Sequence, residues 1–65
     1  MIEVRNRQNG QTQQLKGPKT VSAILKELGL VEGSVLIMRD GQLLTRDVRV
    51  EDGDRIEIIP VISGG

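Results

Sequence analysis

The residues best suited to chemistry are the last three, Ser63-Gly64-Gly65. Glycine has no Cβ, so such a tail can pass a narrow channel and bring its backbone close to a nucleotide. From Pro60 to Gly65 the extended chain spans roughly 20 Å at about 3.3 Å per residue. That reach places a free carboxylate inside another protein's active site while the globular body stays outside. Read as the natural carboxy-terminus, Gly65 is the reactive acceptor, and Gly64 and Ser63 keep the tail slender. The plainer alternative is a frayed end of small residues.

No side chain competes for that role. The 65 residues contain no Cys, no His and no aromatic residue. Thiolate nucleophiles, disulfides, the commonest metal ligand and the usual near-neutral proton shuttle are therefore missing. Ser22 and Ser63 have no base to activate them. Asp52-Gly53-Asp54 lacks the spacing of a calcium loop and reads as a tight turn. No GxGxxG or Walker loop occurs, so any ATP and Mg²⁺ in the chemistry would bind a partner, and this chain is expected to hold no cofactor or metal of its own. Nine Lys and Arg balance nine Asp and Glu, and with no stacking rings this argues against nucleic acid and anionic membranes as partners. Met-Ile-Glu-Val-Arg at the amino-terminal end is not a signal peptide, which points to the cytoplasm.

A tail that is acted on needs a body to present it. Ile2-Glu3-Val4-Arg5 alternates apolar and polar, as a half-buried strand does. Asn9-Gly10 is the dipeptide of a two-residue hairpin turn, and Gln11 to Lys16 returns as an edge strand. Gly17-Pro18 breaks the pattern. Thr20 is placed to cap a helix in which Val21, Ile24, Leu25 and Leu28 form one apolar stripe. Gly29 suits the left-handed position after its end, with Leu30 folding back toward Leu25. Val35-Leu36-Ile37-Met38 reads as a central strand, Asp40-Gly41 as a type I′ turn, and Gln42 to Thr45 as the short partner strand. Val48 and Val50 anchor a charged connection, and Arg55 to Val61 is the last strand.

Five strands and one helix that covers a single sheet face make a two-layer α+β roll. The last strand is expected to lie parallel to the first, with the helix in the crossover. This is the β-grasp, or ubiquitin-like, arrangement, a mixed five-stranded sheet packed on one helix. The organisation is then a domain over 1–62 and a flexible tail over 63–65.

The Asp52-Gly53-Asp54 turn, the Ile56-Glu57-Ile58-Ile59-Pro60-Val61 strand, the helix Val21 to Gly29 and the Ser63-Gly64-Gly65 ending together resemble the ThiS/MoaD sulfur-carrier proteins over nearly the whole chain. The resemblance implies that a ThiF/MoeB-like adenylyltransferase, related to ubiquitin-activating enzymes, attaches AMP to Gly65. A persulfide sulfur donor then displaces AMP and leaves a thiocarboxylate for a downstream sulfur-using synthase. The chain would thus be a protein co-substrate and not an enzyme. The Phe-Pro-Pro lead-in of many MoaD-like carriers is missing and the chain is short, which favours the ThiS-like branch and thiamine thiazole. Molybdopterin and tRNA thiolation stay open, and the Ser-Gly-Gly ending is also seen among tRNA-thiolation carriers and small prokaryotic modifiers.

If Val35, Ile37, Ile56 and Ile58 point inward, Leu36, Met38, Ile59 and Val61 form an apolar patch on the uncovered sheet face. That patch is the expected docking surface for the activating enzyme, with the carrier itself a monomer. Arg39, Arg46, Arg49 and Arg55 read as a solvated charged face, because acidic residues are interleaved with them. Two other functions remain: a modifier joined through Gly65 to substrate lysines, and a β-grasp binding module that makes no use of its tail.

Overall fold

Alternation and capping place the elements of the computed structural model, which describes residues 1–31 and 33–61. Strands β1 (Ile2–Asn6) and β2 (Thr12–Leu15) form the first hairpin, and a two-residue strand β3 (Lys19–Thr20) leads into helix α1 (Val21–Leu28). Strands β4 (Val35–Arg39) and β5 (Gln42–Leu44) form the second hairpin, followed by β6 (Arg49–Val50) and β7 (Arg55–Pro60). The main sheet has the order β2-β1-β7-β4-β5, with β7 parallel to β1 and antiparallel to β4. This is the mixed five-stranded sheet on one helix expected of a β-grasp fold. No helix among the described residues is long and apolar enough to cross a membrane.

The helix is bounded by its own residues. Thr20 is extended at the N-cap, and its hydroxyl accepts from the Ala23 N–H at 3.2 Å. The two preceding orphan donors are met from the connection before β6: Val21 N–H donates to Val48 O and Ser22 N–H to Arg46 O, both at 2.9 Å. At the other end Gly29 adopts φ 71°. Leu30 N–H reaches back to Leu25 O at 2.9 Å and Gly29 N–H to Lys26 O at 3.1 Å, the two bonds of a Schellman motif.

Register sorts the side chains. Ile2 faces Leu15, Val4 faces Ile56, and Ile37 faces Ile58. These inward residues, with Val21, Ile24 and Leu25 of α1 and Val50, form one buried core, against which Leu28, Leu30, Val35, Leu44 and Val48 pack in part. Ile2, Ile24 and Val50 are the most completely enclosed.

Two features depart from the sequence reading. The second sheet, β3 antiparallel to β6 with Lys19 opposite Val50, had no signal in a two-residue segment too short to show a period. The Asn9-Gly10 turn is also not of the two-residue type. Only Gly10 has positive φ, and the loop is closed at Asn6, where Asn6 N–H donates to Gln11 O and Gly10 N–H to Asn6 O, each at 2.8 Å. The physical reason lies in the asparagine side chains. Asn6 Oδ1 accepts from Gln8 N–H and Asn9 Oδ1 from Gln11 N–H, both at 2.9 Å, which stabilises the longer loop. Asp40-Gly41, in contrast, has positive φ at both residues, as a type I′ turn requires.

Gly17 joins segments far apart in sequence. Its N–H donates to Asp52 Oδ1 at 2.9 Å, and the same oxygen lies 3.4 Å from the Met1 ammonium. A Cβ on Gly17 would sit 2.8 Å from Ile2 Cδ1 and 2.9 Å from Asp52 Oδ1. Because Ile2 is fully buried, it has little room to yield. Gly17→Ala is expected to cost about 1–3 kcal/mol by overpacking. The urea midpoint should fall with an unchanged slope, and an unshifted midpoint would contradict the packing argument.

Candidate docking face and carboxy-terminal strand

The strand that precedes the Ser63-Gly64-Gly65 ending in sequence is the central strand of the sheet. Strand β7 lies between β1 and β4 and is hydrogen-bonded on both sides, which makes it a rigid stem. Its pairing with β4 runs to Val35 opposite Pro60. One residue later Val61 N–H donates to Ser34 O at 2.9 Å. Ser34 is held in turn, its hydroxyl donating to Val31 O at 2.6 Å. The anticipated acceptor Gly65, its neighbours Gly64 and Ser63, and the flexible tail over 63–65 all lie outside the described residues.

The sheet face away from α1 divides into two halves. Over β1 and the start of β7 it is charged: Glu3 lies opposite Arg55 and Arg5 opposite Glu57. Arg55 Nε is 3.7 Å from Glu3 Oε2 at an exposed site, a pair worth no more than about 1 kcal/mol. Over β4, β5 and the end of β7 the face is apolar. Leu36 lies opposite Ile59, and Met38 opposite Leu43. Leu36 and Val61 are 40% and 44% exposed, while Met38 and Ile59 are half-buried.

Leu43 belongs to this patch and is its most exposed member at 58%. Sequence reasoning missed it, although the pair Leu43-Leu44 in a short strand forces one of the two outward. Around the β5 edge the apolar surface continues into a groove between α1 and the second hairpin, bordered by Val21, Leu25, Val35, Leu36, Leu43 and Leu44. The patch thus reaches the end of the sheet at which β7 finishes, with Leu36 opposite Ile59.

The arginines are mostly committed elsewhere. Arg39 Nη1 is 3.1 Å from Asp54 Oδ2, which also accepts from Glu51 N–H at 2.9 Å and so ties β4 to the turn before β7. Arg49 Nε is 3.2 Å from Glu51 Oε1. Between β5 and β6, the Thr45 hydroxyl donates to Asp47 Oδ1 at 2.7 Å, and this bond, with a backbone donor, holds the Asp47 carboxyl below its ordinary range. These contacts shape turns and leave the patch as the one large apolar surface on the uncovered face among the described residues.

Comparison with known proteins agrees with this architecture. The sequence model of the ThiS family matches residues 3–65. The sulfur carrier protein TtuB of Thermus thermophilus is 36% identical over 52 residues, which cover 80% of each chain. A thiazole synthase of Paramagnetospirillum magneticum is 34% identical over 61 residues, covering 88% of this chain but only 19% of that much longer protein. Among solved structures, the thiamine biosynthesis protein ThiS of Geobacter metallireducens superposes with a TM-score of 0.65 at 24% identity, over 97% of this chain and 99% of that one. A β-grasp body of this size, a stem strand running toward Gly-Gly and a family match reaching residue 65 lead to one assignment: the chain belongs to the ThiS family and is a sulfur carrier of the ThiS/MoaD type.

Proposed function

We propose that this carrier works through its terminal carboxylate and that thiamine thiazole formation receives its sulfur. The observation that carries the reading is the family match through residue 65, tail included. A Gly65 carboxylate oxygen attacks the α-phosphorus of ATP in a ThiF/MoeB-like adenylyltransferase, and pyrophosphate leaves. Mg²⁺ and cationic groups of that enzyme offset the charge that develops on the phosphates. The terminal sulfur of a persulfide then attacks the activated carbonyl and expels AMP. A second thiol then attacks the donor-bound sulfur of this acyl disulfide, and the S–S bond breaks. A disulfide forms between the second thiol and the donor, and the thiocarboxylate remains on Gly65.

Thiamine is favoured because a segment similar to this chain occurs within a thiazole synthase. In this reading the chain is a monomeric co-substrate in the cytoplasm, ATP and Mg²⁺ belong to the partner, and Gly64 and Ser63 thread the passage to its active site. Intact mass of the protein, isolated from its native host under thiol-preserving conditions, tests the proposal. One oxygen replaced by sulfur is the expected result. Masses of whole proteins joined through Gly65 would indicate a modifier instead. A carboxylate still unmodified after incubation with ATP and a cognate adenylyltransferase would overturn it.

The patch of Leu36, Met38, Leu43, Ile59 and Val61 is the docking surface in this reading, because it flanks the exit of the tail. Replacing both Leu36 and Leu43 by Ser removes apolar area that docking would bury. At roughly 1.5–3 kcal/mol for each fully buried side chain, partial burial of the two corresponds to a rise in KM of about tenfold or more. The adenylation kcat should change little. The thermal midpoint falls modestly, because Leu36 and Leu43, 40% and 58% exposed, each keep part of their surface packed on the sheet. KM is therefore read at a temperature where both proteins are folded. Equal KM for variant and parent in steady-state adenylation would remove this face from the docking model.

A further inference from the structure

Asn9-Gly10 is used neither by the sheet nor by the carrier chemistry. We propose that Asn9 is a site of spontaneous covalent modification in the folded protein, an asparagine that cyclises to a succinimide and deamidates under the control of its loop. The Gly10 nitrogen gives its proton to a base in solvent and attacks Asn9 Cγ; Nδ2 takes a proton from water and leaves as ammonia as the C–N bond breaks. Water then opens the ring at either carbonyl. One product is aspartate; the other is isoaspartate, whose main chain runs through the former side-chain carbon. Amide and water become carboxylate and ammonia, and no oxidant or reductant takes part.

Three observations favour the reaction. Asn9 is exposed, so water and base have access. Gly10 has no side chain, and the position of its missing Cβ is open space, so nothing hinders approach to its nitrogen. Gln11 N–H donates to Asn9 Oδ1 at 2.9 Å. That oxygen gains negative charge as the nitrogen adds, and a donor already in place stabilises it. One observation opposes the reaction: Gly10 N–H is held by Asn6 O at 2.8 Å. This bond lies in an exposed loop, where local opening is far less costly than global unfolding. The fraction of molecules with this bond open therefore scales the rate.

Asn6, the other asparagine, is an internal control. Its Oδ1 accepts from Gln8 N–H at the same 2.9 Å. The nitrogen that would attack, however, belongs to Arg7, which carries a side chain and donates to Ile58 O of the central strand at 2.9 Å. Polarisation alone is thus matched at the two sites, and release of the nitrogen distinguishes them. Deamidation at Asn9 would place a carboxylate beside the cleft bordered by Gln11, Gln13, Leu28 and Leu30. The stem strand β7 is untouched, so this inference stands or falls independently of the tail chemistry.

The test is incubation of the full chain at mildly alkaline pH, folded and in concentrated urea, with peptide-resolved mass and isoaspartate analysis. Peptide resolution is needed because Asp40-Gly41 and Asp52-Gly53 can isomerise by the same ring. The expected result is conversion of Asn9 with Asn6 intact in the folded sample. The rate should lie about tenfold below that in urea, the scale of one hydrogen bond's net worth. An Asn9 that stays unchanged while the urea sample converts fully would overturn the proposal. So would equal rates in the two samples, or conversion of folded Asn6 as fast as that of Asn9.

Discussion

Removal of Gly65 is expected to abolish adenylation while the β-grasp body stays folded. Strand β7 is clamped between β1 and β4, and its last described bond is Val61 N–H to Ser34 O at 2.9 Å. In the proposed mechanism, a stem held this firmly sets the point from which the tail must reach, and the number of residues after it sets the maximum reach of the Gly65 carboxylate. Deleting one residue withdraws that carboxylate by about 3.3 Å. In-line attack on a phosphorus needs the reacting atoms about 3–3.5 Å apart, and a misplacement of 1 Å costs on the order of 100-fold. A displacement three times larger is therefore beyond rescue. The check is AMP incorporation by mass after incubation with ATP and the cognate enzyme, beside a urea melt. A truncated chain still charged with AMP would refute the mechanism. A truncated chain that no longer melts cooperatively would show that the tail supports the body. Replacing Gly65 by Ala separates reach from width: the length is kept, and any loss then reports a channel too narrow for a Cβ.

Much of this fold was legible because its signals are local. Thr20 and Gly29 mark the helix ends by chemistry that acts within one turn, and both do so in the structure. The two dipeptides with hairpin character behaved differently for a local reason as well. Asp40-Gly41 has no competing side-chain acceptor before it, whereas Asn6 and Asn9 each capture an N–H two residues on and draw out a longer loop. What the sequence hid is non-local. Gly17 and Asp52 meet across 35 positions. The β3–β6 ladder joins two-residue segments that carry no period, and Arg39 finds Asp54 only after β4 and β7 have paired. The outward patch occupies an intermediate place. Alternation put Leu36 and Ile59 on one face, but Leu43 joins them through the register of the second hairpin, which turn chemistry determines and composition does not.

Ile24→Ala is expected to bring the protein to the edge of unfolding. Ile24 has no solvent exposure and lies midway along α1, facing the sheet core of Ile2, Val4, Ile37, Ile56 and Ile58. Truncation of a buried Ile to Ala costs about 2–5 kcal/mol. A domain below about 70 residues without disulfides seldom gains more than about 3–5 kcal/mol from its hydrophobic core, and this chain has no Cys. The two quantities are of the same size, so a large fraction of the variant should be unfolded at room temperature. Helix propensity cannot explain the loss, since Ala is the better helix former. An eight-residue helix has no stability of its own in water, so α1 exists because the sheet holds it and the sheet keeps a dry face because α1 covers it. Weakening their contact releases both layers together. Ile24→Val removes one methylene and should cost only about 0.5–1.5 kcal/mol, giving a folded protein with a lower midpoint. Circular dichroism and urea melts of the three chains provide the check. A midpoint for Ile24→Ala close to that of the parent would mean that the helix–sheet contact is not what holds this small body together.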